Sequence, residues 1–274
     1  MIVLSLFDGM SCGRVALERA SILVTKYYAS EIDKYAIKIS KKNYPDIIQL
    51  ADINNWHNGI WRFIDSNCVA QTETPDLIIG GSPCQGFSFA GKQLAFDDPR
   101  SKLFFKFVEI VNYYKPKYFL LENVRMKKEH QDVISKYLGV EPICINSSLV
   151  SAQNRVRYYW TNIPNITQPE DKGIVLKDIL ECGIVDQDKS YCIDANYWKG
   201  GNLKSYFEKH RRQLVFQSLA SDNLKYRKLT PIECERLQTL DDRYTEGVSN
   251  SQRYKMLGNG WTVDVLAHIF KEML

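Results

Sequence analysis

The stretch Asp76-Leu77-Ile78-Ile79-Gly80-Gly81-Ser82-Pro83-Cys84-Gln85-Gly86-Phe87-Ser88 decides how this chain folds. Leu77, Ile78 and Ile79 form an unbroken apolar run without polar alternation, the pattern of a parallel strand covered on both faces. Two glycines and Ser82 end the run, and Pro83 restricts the backbone just before Cys84. Working outward, similar runs alternate with helical stretches. Upstream, IVLSLF (2–7) and TKYYASE (25–31) read as strands. They are followed by helices around Arg14 to Ala20 and over DKYAIKISKKNY (33–44). Downstream, KLFFKFVEIVNYY (102–114) reads as a helix, and KYFLLENV (117–124), PICINSSL (142–149) and RVRYYWTNI (155–163) read as strands. This alternation predicts an α/β domain, doubly wound around a parallel or mixed sheet.

The pattern changes near Pro164. Residues 165–226 are more polar and contain WKGGNLKSYFEKHRRQ (198–213), where Lys199, Lys204, Lys209, Arg211 and Arg212 mix with Trp198, Tyr206 and Phe207. We read 165–226 as a small inserted domain between 1–164 and 227–274. After it, Thr230-Pro231-Ile232-Glu233 carries an N-cap residue, a first-turn proline and an acid three residues past the cap, which predicts a helix start.

Composition narrows the function classes. The 274 residues carry a net charge of +4 from 36 basic and 32 acidic side chains, which permits a phosphate-binding face without requiring one. No apolar run is long enough to span a bilayer, which argues against a membrane protein. The apolar start lacks a basic leader and runs into a glycine loop, so it reads as a first strand. Seven cysteines, odd in number, scattered and without a C-x-x-C pair, suggest neither a disulfide framework nor a zinc site. A reducing cytoplasm fits, and no metal is expected.

Four features carry chemistry. The first is the loop F-D-G-M-S-C-G (7–13) between a strand and a helix, with glycines for tight turns and a helix start for free N–H groups. Glu31, at the end of the next strand, suits the two hydroxyls of a ribose, and Asp52-Ile53 follows a third apolar run where it can hold an adenine edge. A glycine loop by itself is also an ordinary turn. The second feature is Cys84 at the carboxyl end of a central strand, where α/β enzymes place their sites. The third is Glu122 at the end of the strand KYFLL, near the same edge. Burial would let its carboxyl donate a proton near neutral pH. A surface or capping glutamate is the plainer reading. The fourth is Gln153-x-Arg155-x-Arg157. Spacing by two puts these residues on one strand face, where two guanidiniums could grip a base carbonyl, a phosphate or a carboxylate, or simply line a solvated edge.

As an ordered set, G-G-S-P-C-Q-G-F-S-F-A-G-K-Q, E-N-V, Q-x-R-x-R and the C-terminal L-G-N-G-W (257–261) resemble the DNA cytosine-5 methyltransferase family, over nearly the whole chain outside 165–226. The runs LFDGMSCG, SAQNRVRYYW and LGNGW are similar to its vertebrate de novo branch, and PCQGFSFAGKQ is closer to bacterial restriction-modification enzymes. Two motifs depart from the usual pattern: F-D-G-M-S-C-G stands for F-x-G-x-G, and Asn259-Gly260 stands for Asn-Ser.

The resemblance implies a class I S-adenosylmethionine-dependent methyltransferase fold with 165–226 as target-recognition domain. It implies that Phe7, Asp8, Gly9, Glu31, Ile32, Asp52, Ile53, Leu103, Asn259 and Trp261 surround S-adenosylmethionine. It implies Cys84 as nucleophile on carbon 6, Glu122 at ring nitrogen 3, Arg157 at the cytosine carbonyl, and Arg155 and Gln153 completing the catalytic set. Pro83, Gln85, Ser88 and Lys92 would touch the flipped cytosine and its phosphates. Lys199, Lys204, Arg211 and Arg212 would hold DNA phosphates, although a solvated face explains them equally well. The implied partner is duplex DNA, bound by a monomer in the cytoplasm of a bacterium or encoded by a phage, with room for a cognate restriction endonuclease. A tRNA cytosine-5 methyltransferase, a catalytically silent DNA-binding homologue and a nicotinamide oxidoreductase are the rivals. The missing C-F-T signature, the intact motif residues and the absent G-x-G-x-x-G respectively weigh against them.

Overall fold

A computed structural model describes residues 1–50, 52–62, 69–82, 99–218 and 225–274. Strand β1 (Ile2–Leu6) leads into α1 (Cys12–Arg19), β2 (Lys26–Ser30), α2 (Lys34–Asn43) and β3 (Ile48–Leu50). Three short strands follow: β4 (Trp56–His57), β5 (Ile60–Arg62) and β6 (Val69–Gln71). Then come β7 (Leu77–Gly80), α3 (Pro99–Tyr114), β8 (Tyr118–Val124), α4 (Lys128–Leu138), β9 (Ile143–Asn146) and β10 (Val156–Thr161). The main sheet has seven strands in the order β3-β2-β1-β7-β8-β10-β9. β3, β2, β1, β7 and β8 pair in parallel, and β10 turns antiparallel against β8. The expected doubly wound mixed sheet is therefore present, with β7 buried along its length as its apolar run predicts. Leu4, Leu6, Ile78, Phe104, Phe107, Ile110, Leu121 and Trp160 join one apolar core.

Local chemistry sets the element ends. Asp33 caps α2 by accepting from the N–H groups of Tyr35 and Ala36. The antiparallel β4-β5-β6 sheet and α4 are elements the sequence reading does not contain. One expectation needs correction: Gln153, Arg155 and Arg157 do not share a strand face, because β10 begins only at Val156. The Asn146 side chain accepts the Arg155 N–H at 2.9 Å and the Arg155 carbonyl accepts from Ser147 N at 3.0 Å, which closes a turn before the strand. Ala152 to Asn154 meanwhile pair with Ser190.

The chain forms two compact units: Met1–Ile145 with Val156–Ile166 and Ile269–Leu274, and Asn146–Arg155 with Thr167–His268. The second contains α5 (Leu203–Lys209), the antiparallel pair β11 (Leu214–Phe216) and β12 (Tyr226–Lys228), α6 (Pro231–Leu237) and α7 (Asn250–Asn259). The last helix is α8 (Val263–Lys271). The anticipated helix start is a capping box: Thr230 accepts from Glu233 N, and the Glu233 carboxylate accepts from Thr230 N at 2.8 Å. Gly258 in α7 lies flush against the backbone of Asp194 and Ala195, so a Cβ there would overlap the Asp194 carbonyl.

The β1–α1 loop is held by a buried carboxyl group. Asp8 accepts from the Tyr27 hydroxyl at 2.8 Å and the Ser11 hydroxyl at 2.5 Å, and Ser40 Oγ lies 2.7 Å from Ser11 Oγ. Burial pushes the Asp8 carboxyl up from 3.8 to about 6, against the downward pull of those hydroxyls.

Two outcomes follow. Above pH 6 the folded state carries the full penalty of a buried Asp8 charge, and the penalty fades as pH falls from about 6 toward 4. Asp8→Asn, which carries no charge, should therefore gain on the wild type by roughly 2 kcal/mol in urea denaturation between pH 4 and pH 7. A stability difference that does not move with pH would contradict this. Gly258→Ala should lose about 2 kcal/mol through overpacking, read from the urea midpoint at pH 7. An unchanged midpoint would show that the 194–195 backbone yields freely.

Candidate active site

Register brings the chemistry-bearing loops to one edge. Leu6 is aligned with Ser30 on one side and Gly80 on the other, Ser30 with Leu50, and Gly80 with Leu121. Phe7-Asp8-Gly9, Glu31-Ile32, Asp52 and Gly81-Ser82 thus follow the carboxyl ends of adjacent parallel strands, and Glu122-Asn123 lie in the last residues of β8 beside them, the usual position of ligand sites in such sheets.

The β1 and β2 loops form a shallow cradle. The Glu31 carboxylate is fixed by three backbone donors: Gly9 N at 2.7 Å on Oε2, and Ile32 N at 2.7 Å and Asp33 N at 2.8 Å on Oε1. A carboxylate offers about four acceptor sites, so among the described residues one remains on Oε2 for a hydroxyl. Gly9 adopts φ 61°, and no atom stands within 4 Å of where a Cβ would project. Phe7 and Ser11, at φ 58° and 66°, share this left-handed turn. Ile32 leaves 73% of its surface exposed beside the carboxylate, an apolar shelf for a flat ring. Open space, a held acceptor and an apolar shelf fit a ribose and its attached base. Asp52 caps a 3-10 turn by accepting from Asn54 N at 2.9 Å. Ile53 is buried in the core cluster, against which the partly buried Phe7 and Leu103 also pack.

The next two strands present an acid–base pair. Glu122 on β8 is 8% exposed. Across the β8–β10 pairing, Arg157 Nε lies 2.9 Å from Glu122 Oε1, while Arg157 NH1 donates to its neighbour's carbonyl, Val156 O, at 2.8 Å. Beside Glu122, the Asn123 amide donates to Ser82 O at 3.3 Å and to Ser82 Oγ at 3.4 Å. The end of β8 therefore anchors the loop two residues before Cys84. Asn123 is a site residue that sequence reasoning passes over, although it is the middle letter of E-N-V. Pro83, Cys84, Gln85, Ser88 and Lys92 lie outside the described residues.

In the second unit, Gln153 and Arg155 are buried and turned to backbone. Gln153 Nε2 donates to Leu237 O at 2.7 Å, and Arg155 to Ile193 O, Gly258 O and Gly260 O at 3.1, 3.2 and 2.7 Å. Asn259 and Trp261 sit at the α7–α8 turn. Among the anticipated phosphate ligands, Lys199 stands over the Trp198 ring, Lys204 is exposed, Arg211 pairs with Asp194 at 3.5 Å, and Arg212 is tied to Gly200 O at 2.9 Å. Among the described residues, Cys12, Cys144, Cys182, Cys192 and Cys234 form no disulfide, and burial pushes the Cys234 thiol well above its ordinary range. Among the described residues, no cluster of three or more His, Cys, Asp or Glu side chains could hold a metal ion, and no helix is long and apolar enough to cross a membrane.

Comparison with known proteins gives the arrangement a lineage. The type II methyltransferase M1.ScrFI of Lactococcus lactis subsp. cremoris is 29% identical over 99% of this chain and 77% of its own length. The type II methyltransferase M.NlaX of Neisseria lactamica is 27% identical over 99% of this chain and 95% of its own. The solved methyltransferase EhMeth of Entamoeba histolytica superposes with a TM-score of 0.78 at 20% identity, covering 100% of this chain and 99% of its own, a likeness of fold. The family description C-5 cytosine-specific DNA methylase matches residues 1–165 and 148–274, so this chain belongs to the C-5 cytosine-specific DNA methyltransferase family.

Proposed function

We propose that this enzyme binds S-adenosylmethionine in the cradle of Gly9, Glu31 and Ile32 and methylates carbon 5 of a cytosine flipped out of duplex DNA, with Cys84 as nucleophile. The observation that carries this reading is the Glu122–Arg157 pair at the carboxyl edge, with Asn123 holding Ser82 just ahead of Cys84. When bound, S-adenosylmethionine supplies an electrophilic methyl group. The Glu31 acceptor site suits a ribose hydroxyl, and Ile32 suits the adenine face.

Carbon 5 of cytosine is a weak nucleophile until the ring's conjugation is broken. The Cys84 thiolate adds to carbon 6, which moves electron density toward carbon 5, nitrogen 3 and the ring carbonyl. Glu122 holds a proton at nitrogen 3, and the Arg157 guanidinium faces the carbonyl oxygen as charge develops there. With the cofactor bound, carbon 5 would take its methyl group as the sulfonium carbon–sulfur bond breaks and the thioether is left behind; the carbon 5 proton would pass to water, and the Cys84 thiolate would leave as the 5–6 double bond returns. A stacked base cannot reach these groups, so the nucleotide turns out of the helix. The loop from Gln85 to Arg100 is the segment assigned to cover it.

Residues 165–226 are assigned to reading the duplex, and 1–164 with 227–274 to catalysis. Lys199 and Lys204 are the phosphate contacts of choice there, because Arg211 and Arg212 already engage Asp194 and Gly200. The type II names of the relatives support a cytoplasmic enzyme, bacterial or phage-encoded, with a cognate restriction endonuclease; we assign it to DNA as a monomer.

Duplex DNA with 5-fluorocytosine at the target should be trapped covalently in the presence of cofactor, since fluorine cannot leave as the proton does. Cys84→Ala should abolish both trapping and turnover while DNA binding survives. A denaturing gel without a shifted band, on DNA the enzyme otherwise methylates, would overturn the nucleophile assignment. Glu122→Gln should reduce kcat by about a hundredfold or more, measured at saturating cofactor and DNA. A near-normal kcat would remove Glu122 from the mechanism.

A further inference from the structure

Asp8 is an awkward choice for the turn it serves. Its side chain is 4% exposed and takes only hydroxyl donors, Tyr27 at 2.8 Å and Ser11 at 2.5 Å. Behind Ser11 the polar chain continues to Ser40 Oγ at 2.7 Å, which accepts from Gln49 Nε2 at 3.2 Å. Groups from β2, α2 and β3 thus converge on one carboxylate. Among the described residues, no Lys, Arg or His pairs with it. Burial pushes its carboxyl up, and the Glu31 carboxylate adds to that push. The two acids flank one glycine: Asp8 precedes Gly9 in the chain, and Glu31 accepts the Gly9 N–H at 2.7 Å. Glu31 is itself held by backbone N–H groups and, among the described residues, by no cation.

A turn that needed only its shape would be better served by a neutral side chain, because a buried charge without a counter-ion opposes folding. An uncompensated anion does one thing that a neutral group cannot. It projects negative potential into the open space beside Gly9, with less screening than a surface charge has. A cationic ligand supplies the missing counter-charge. S-adenosylmethionine carries a sulfonium. S-adenosylhomocysteine, left after methyl transfer, carries a neutral thioether on the same amino acid, ribose and adenine. We propose that Asp8 is a specificity-determining residue whose carboxylate raises the affinity of the Gly9–Glu31 cradle for the sulfonium cofactor relative to the thioether product, at the expense of fold stability. This rests on the reading of the cradle as the cofactor site. Its signature is a pair of opposite signs: removing the charge strengthens the fold and weakens the cofactor.

The test uses the full chain at pH 7, where Asp8 is mostly ionised. It measures Kd for each of the two ligands by titration calorimetry, and stability by urea denaturation. Asp8→Asn should raise the S-adenosylmethionine Kd about tenfold, the scale of one screened charge interaction, and change the S-adenosylhomocysteine Kd by less than about threefold. Its urea midpoint should rise. Glu31→Ala should weaken both ligands by about tenfold or more, because the ribose is common to them. Tyr27→Phe takes one donor from the carboxylate and makes its charge harder to hold. It should move the ratio of the two constants in the same direction by a smaller factor, and it carries the test if Asp8→Asn does not fold. Equal weakening of both ligands in Asp8→Asn, or of neither, beside a Glu31→Ala that weakens both, would overturn the charge discrimination and leave the cofactor site standing. An unmoved ratio in Tyr27→Phe would count against it in the same way. Unchanged binding of both ligands in Glu31→Ala would overturn the cofactor assignment of the cradle and this inference with it.

Discussion

The register of five parallel strands is the constraint on which the molecule depends. The register of each strand decides which residues reach the carboxyl edge of the sheet. Leu77, Ile78 and Ile79 are buried on both faces of β7, so the sheet is covered on each side. With β7 fixed beside β1 and β8, the residues after Leu6, Ser30, Gly80 and Leu121 have to surface together. The cradle of Gly9 and Glu31 and the pair of Glu122 and Arg157 follow from that alignment.

Each charged group at this edge is handled differently. Glu31 is fixed by backbone N–H groups, which orient it while leaving it able to accept. Glu122 is fixed by a guanidinium from the neighbouring antiparallel strand. Asp8 has hydroxyl donors and little water, and burial dominates. The loop thus takes its shape from a group whose own ionisation opposes the fold at neutral pH.

Sequence patterns announce elements whose burial is uniform. The unbroken run of β7, the strand KYFLL before Glu122 and the Thr230–Glu233 capping box are all readable because near neighbours determine them. The strands from Trp56 to Gln71 are too short for any alternation to register, with Trp56 and Trp61 buried among exposed His57 and Arg62. Spacing also misleads at Arg155. The Asn146 side chain turns the chain just before β10, and no periodicity within 153–157 contains that contact. Cys84 and Glu122 stand out by motif; Asn123 and Gly258 lie inside E-N-V and L-G-N-G-W, but what they touch, Ser82 and the 194–195 backbone, is distant in sequence and not written there.

The interleaving of the two compact units bears on how the chain is assembled during synthesis. The first unit is made of three chain segments, the last being Ile269–Leu274, and the second of two. The nascent chain can lay down the strands early, but the first unit lacks its third segment until residues 269–274 have been made. Neither unit is a contiguous module that evolution can move by simple insertion, and change is absorbed more easily inside surface segments such as 165–226 than at the seams.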